Sequence, residues 1–132
     1  MTARHRASCG CGQLTITAEG APAGAALCFC TACRKRTWTH FGTQARWPAG
    51  KVEAAGQATV WRRVGDHGTP FDFRFCPVCG TTLWYTSALD PSFVGIAAGC
   101  FDDPNGFAPA VSVYDSRRPD WLGLPETLER RG

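Results

Sequence analysis

No stretch of the 132-residue chain approaches the roughly 18–20 consecutive apolar residues of a membrane span, so no membrane partner is expected. Arg4 and Arg6 are not followed by the apolar segment of a secretory signal, and the expected location is therefore cytoplasmic. There is no internal repeat and no low-complexity tract. Fifteen Gly and nine Pro make the chain turn-rich but stay below the roughly 25–30% of disordered, biased sequences. Charge is not lopsided either: 14 basic and 11 acidic residues leave +3. The bases fall in small groups, Arg34-Lys35-Arg36, Arg62-Arg63, Arg117-Arg118 and Arg130-Arg131. A nucleic-acid footprint is denser, so nucleic acid is not an expected partner. No Ser/His/Asp ordering, phosphate loop or dinucleotide fingerprint is present. With 44% hydrophobic and 19% charged residues, the composition fits one globular domain over 1–132.

Helical amphipathic windows are scarce, and short extended runs broken by turns dominate. Gln13 to Ala18 alternates, with Leu14 and Ile16 on one face. Ala26 to Cys30, Thr59 to Val64, Phe71 to Phe75, Leu83 to Thr86, Phe93 to Ala98 and Val111 to Tyr114 also read as strands. Gly65-Asp66-His67-Gly68 is a turn between two of them. Short helices are expected near Thr31 and from Pro125. The fold class is mainly β.

Eight cysteines are more than an ordinary domain carries, and they are paired closely: Cys9-x-Cys11, Cys28-x-Cys30-x-x-Cys33, Cys76-x-x-Cys79 and a lone Cys100. Disulfide frameworks spread their cysteines, whereas metal sites space donors two or three residues apart. Cys76-Pro77-Val78-Cys79-Gly80 has the form of a zinc knuckle, its Gly free to take φ > 0. In an extended strand Cys9 and Cys11 point to one face, and with the knuckle they supply four thiolates, a closed structural zinc site. Cys28, Cys30 and Cys33 supply three, which leaves one tetrahedral position vacant, as in catalytic sites. Two other arrangements stay open: Cys100 as the fourth ligand of the second cluster, or Cys30/Cys33 joined to Cys76/Cys79 as a zinc ribbon.

The ordered set C-x-C, C-x-C-x-x-C-R-K and F-C-x-x-C-G resembles the glutathione-dependent formaldehyde-activating enzyme (GFA) family, to which the centromere protein V domain also belongs. The resemblance runs from about Ala7 to Pro125. It includes Cys33-Arg34-Lys35, Phe75-Cys76 with Cys79-Gly80, the stretch Gly99-Cys100-Phe101-Asp102-Asp103-Pro104, and Ser116-Arg117 ahead of Trp121. It implies several coiled β-sheets of the Mss-four-like type in a single domain. It also implies a division of metals: Cys9, Cys11, Cys76 and Cys79 around a structural zinc, and Cys28, Cys30 and Cys33 around a catalytic one. A zinc role for Cys100 is not carried over.

The implied activity is that of a carbon–sulfur lyase reversibly joining a glutathione-like thiol to formaldehyde or a related small aldehyde. No electrons are transferred, so zinc is the cofactor expected. Arg34 and Lys35, with Arg36 beside them, are candidates to dock glutathione carboxylates, Arg bidentately. Phe29, Trp38, Phe41 and Trp84 read as core or pocket wall, and His40 as a candidate acid or base. The alternative reading is a non-catalytic zinc-binding module for a protein or nucleic acid.

Overall fold

The computed structural model describes residues 3–132. Eleven strands follow in chain order: β1 (Arg4–Ser8), β2 (Thr15–Glu19), β3 (Gly24–Cys28), β4 (Gly42–Pro48), β5 (Val52–Ala55), β6 (Thr59–Val64), β7 (Pro70–Phe75), β8 (Thr82–Ser87), β9 (Phe93–Ala97), β10 (Val111–Val113) and β11 (Glu129–Arg130). One α-helix, α1 (Thr31–Thr37), leaves the end of β3. The mainly β expectation holds.

Two sheets form. The smaller is antiparallel in the order β1-β2-β5, and the larger has eight strands in the order β11-β10-β3-β4-β9-β8-β7-β6. In the larger sheet β3, β10 and β11 run parallel, and the remaining pairs are antiparallel. The strand alternation read at residues 13–18 is real: Leu14, Ile16 and Ala18 are buried, with Thr15 and Thr17 half-buried between them.

The larger sheet has two different faces, because alternate residues point opposite ways and directly paired residues share a side. On one side Ala45 and Trp47 of β4 join Val94 and Ile96 of β9. They pack against Ala7, Ile16 and Ala18 of the small sheet and against Phe101. Trp47 is fully buried, stacks near Phe101 and Phe107, and donates its indole N–H to the Gly20 carbonyl at 3.0 Å. Each large apolar side chain buried here contributes roughly 1.5–3 kcal/mol.

The opposite face carries Gly42 and Gln44 of β4, Gly95 of β9, Tyr85 of β8, Phe71 and Phe73 of β7, and Trp61 and Arg63 of β6. Helix α1 comes down on this side, with the backbone at Gly42 close to Cys33. A Cβ on Gly42 would lie 3.1 Å from the Arg36 guanidinium and 3.6 Å from the Cys33 sulfur, so the bare backbone makes room for both.

Two expected elements differ. The helix expected from Pro125 is a turn followed by β11, because Glu129 and Arg131 bond to Ala110 and Ser112 beside β10. Trp38, expected in core or pocket wall, is 93% exposed: it caps α1 in the left-handed region at φ 49°, which turns its side chain away from the sheet.

Candidate metal centres and the adjoining cavity

Cys9 and Cys11 follow β1, and Cys76 and Cys79 lie between β7 and β8, so the sulfurs come from the two different sheets. All four lie within 4.8 Å of one another. Cys9–Cys11 and Cys11–Cys76 sulfur separations are 3.6 and 3.7 Å. A tetrahedron with zinc–sulfur bonds of about 2.3 Å has edges of about 3.8 Å, so the donor set fits zinc in spacing and in chemistry. The Cys9–Cys11 segment is not extended, as the sequence suggested. It is a tight turn closed by Gly12 N–H on the Cys9 carbonyl, with Gly12 at φ 84°. The second turn matches it, with Gly80 at φ 81° and its N–H on the Cys76 carbonyl.

Polar hydrogens surround these sulfurs. The Leu14 N–H points at Cys9, the Val78 and Cys79 N–H groups at Cys76, and the Gln13 side-chain amide at Cys76 from 2.9 Å. Hydrogen bonds from Thr81, through its hydroxyl and then its backbone, hold Cys79 down at about 5. Such donors stabilise thiolate, the form that binds metal.

The second cluster is local. Cys28 ends β3, Cys30 caps α1 by accepting the Cys33 N–H at 3.3 Å, and Cys33 sits one turn into the helix. All three are buried, and their sulfurs also lie within 4.8 Å of one another. Hydrogen bonds with Cys28 and Cys33 lower Cys30 to about 2, helped by the charge of Arg63. Contact with Cys30 pushes Cys28 up. Cys33 is pushed up as well: its hydrogen bond with Cys28 works the other way, but contact with Cys30 and burial outweigh it. Three buried sulfurs this close cannot all be anionic without a cation, and a soft divalent metal fits the set.

These three residues form part of the wall of a cavity of about 480 Å³. Its floor is the sheet face described above, with Gln44, Tyr85, Phe71 and Phe73, and the turn between β6 and β7 borders it. Arg36 and Arg63 both stack on Phe73, their guanidinium carbons 4.7 and 5.3 Å from the ring centroid. Arg36 also points at the Cys33 sulfur from 3.8 Å. Arg117 and Asp66 line the cavity too and face each other at 3.9 Å.

A family model described as glutathione-dependent formaldehyde-activating enzyme matches residues 4–117. The chain belongs to the GFA family. A crystal structure of a Rhodobacter sphaeroides protein from a structural-genomics programme superposes with a TM-score of 0.60 at 20% identity, over 76% of this chain and 91% of that one. At that identity the likeness is one of fold. No curated protein matches the chain.

Of the residues singled out from the sequence of this GFA chain, the structure gathers Cys9, Cys11, Cys76 and Cys79 in one cluster and Cys28, Cys30 and Cys33 in another. Cys100 joins neither. It packs against the core beside the first cluster, and burial, with Cys9 and Cys79 nearby, raises it to about 11. Arg34 and Lys35 do not line the cavity; Arg34 turns to the Thr31 hydroxyl at 3.2 Å. Their neighbour Arg36 takes the inward position instead. His40 is exposed and stacks on Trp121. Arg36 was among the three bases singled out, whereas sequence reasoning missed Gln44, Arg63 and Tyr85. For Arg36 a signal existed, since positions i and i+3 of a helix share a face and Cys33 is three residues before it.

Proposed function

We propose that this GFA protein is a zinc-dependent carbon–sulfur lyase that reversibly adds a small glutathione-like thiol to formaldehyde or a related small aldehyde. In this reading Cys28, Cys30 and Cys33 hold the zinc of the reaction, and Cys9, Cys11, Cys76 and Cys79 hold a structural one. The observation that carries it is positional. The three-cysteine cluster lies in the wall of a cavity, whereas none of the four sulfurs of the other cluster lines it.

Zinc bound by three thiolates supplies a further Lewis-acidic position, at which a thiol of ordinary pKa about 8.5 ionises near neutrality. Everything else comes from the chain. A cavity of about 480 Å³ lies within the roughly 300–1,000 Å³ typical of sites for drug-sized ligands, ample for a tripeptide thiol. Arg36 and Arg63, held in place by the Phe73 ring, present donors for a carboxylate beside the sulfur cluster. The aromatic wall reduces water around the reacting atoms and orients the thiol toward the aldehyde, where proximity contributes several kcal/mol.

Exchange NMR on glutathione and formaldehyde tests the reading. Interconversion with the free components should be faster with the wild-type protein than with Cys30→Ser. Identical rates, with zinc present in the wild type, would replace the lyase by a non-catalytic zinc module.

A further inference from the structure

Closing a carbon–sulfur bond on an aldehyde leaves charge on the carbonyl oxygen, and some group must deliver a proton there. Histidine, the usual donor, is poorly placed. His40 does not line the cavity, and His67 does so from an exposed turn residue between β6 and β7. Both tyrosines of the chain line it.

Tyr85 is the one whose position the sheet dictates. It stands on β8 directly opposite Gly95 of β9, and its ring lies across that residue. A Cβ on Gly95 would collide with the ring and come within 2.8 Å of the phenolic oxygen. The missing side chain lets the phenol lean from β8 over β9 toward β4, the strand that carries Gln44 and whose Gly42 backs onto Cys33. Phe71 and Phe73 flank the ring at centroid distances of 6.1 and 5.4 Å. Burial raises the phenol above its ordinary value and outweighs the opposing charges of Arg46 and Arg36, so it carries its proton at neutral pH. Gln44 completes the arrangement. Its side-chain oxygen lies in the cavity wall without a hydrogen-bond partner among the described residues, free to accept one from a guest.

We propose that Tyr85 is a catalytic residue that gives its phenolic proton to the aldehyde oxygen as the carbon–sulfur bond forms, and that the Gln44 side-chain oxygen accepts a hydrogen bond from the resulting hydroxyl. The assignment rests on the lyase reading above. In the step, a sulfur lone pair forms the C–S bond, the C=O π bond opens onto oxygen, and that oxygen takes the Tyr85 proton. The phenolate then recovers, through cavity water, the proton the thiol releases, so the cycle consumes none. The reverse direction breaks the C–S bond by the same transfers.

Exchange NMR at saturating glutathione and formaldehyde, with Tyr85→Phe, Tyr114→Phe and Gln44→Leu beside the wild type, tests it. Tyr85→Phe should slow catalysed interconversion about 100-fold or more, the usual range for a lost proton donor. Its zinc content, thermal midpoint and glutathione affinity should stay at wild-type values, which separates a lost proton donor from a disturbed wall. Gln44→Leu should slow the reaction about tenfold, and Tyr114→Phe should slow it far less than Tyr85→Phe does. A Tyr85→Phe protein as fast as wild type, or a Tyr114→Phe protein as slow as Tyr85→Phe, overturns the assignment alone. An undiminished rate in Gln44→Leu removes Gln44 from it. A wild-type protein that gives no acceleration overturns the lyase reading and this assignment with it.

Discussion

Phe73 carries two guanidinium groups on one ring, and the only carboxylate that lines the same cavity among the described residues, Asp66, faces a third arginine, Arg117. Two cations held this close to each other favour an anionic guest. Arg63→Ala should therefore weaken glutathione binding by about 1.5–3 kcal/mol, the worth of a charge-assisted hydrogen bond, or roughly tenfold to a hundredfold. Arg34→Ala should leave affinity unchanged, because its side chain turns to Thr31 instead of the cavity. Titration calorimetry, with a neutral thiol as control, checks both. Equal losses would return the docking role to the outer side of α1. Of the three consecutive bases singled out in the sequence, Arg36 is the one that lines the cavity. Three consecutive bases look alike in one dimension, and only the helical rotation of about 100° per residue separates them. Arg63 had no such signal, since nothing local tells that it shares a face with residues of four other strands.

At the scale of elements, the hairpin of β6 and β7 was the most legible part of the chain, and its register places Arg62 opposite Asp72. The guanidinium grips the carboxylate with two bonds of 2.7 and 3.0 Å and holds its pKa below the ordinary range. A carboxyl lowered in the folded state adds stability above its unfolded value of about 3.9, and that stability is lost as pH falls through the folded value. Asp72→Asn should therefore lower the thermal midpoint slightly at pH 7 and flatten its fall on acidification, as followed by circular dichroism. A variant with the wild-type acid profile would show that the pair adds nothing. Other strands escaped notice for physical reasons. β4 carries Gly42, Gln44 and Arg46 on the sheet face that holds the cavity, so its polar side points to a concavity that composition alone cannot announce. β1 buries one residue of five fully, Ala7, too few for a periodic signal. The helix assigned from Pro125 lost to pairing beside β10, a contact between residues too distant for local propensity to register.

Across the whole molecule the two clusters differ in what they tie together. One is confined to residues 28–33, while the other joins residues 9–11 to 76–79 and with them the two sheets. Metal binding to a site that the unfolded chain lacks is folding free energy. Cys76→Ser should therefore lower stability by more than about 4 kcal/mol, the range reached when a metal site is broken. Cys28→Ser should stay within about 2 kcal/mol, as for ordinary substitutions. Urea titration of the two zinc-loaded variants decides, and equal losses would contradict the division of roles. The pairing of cysteines was plain in the sequence because ligand spacing is a local property, whereas the cavity beside Cys28, Cys30 and Cys33 depends on five strands and a helix meeting. The same difference in span sets an order in time. On a ribosome the three-cysteine segment is complete once Cys33 has emerged, while Cys9 and Cys11 wait for Cys79, roughly a few seconds later at about 5–20 residues per second. A nascent chain thus presents the whole of its three-cysteine cluster before it has the second cysteine pair of the cluster that bridges its two sheets.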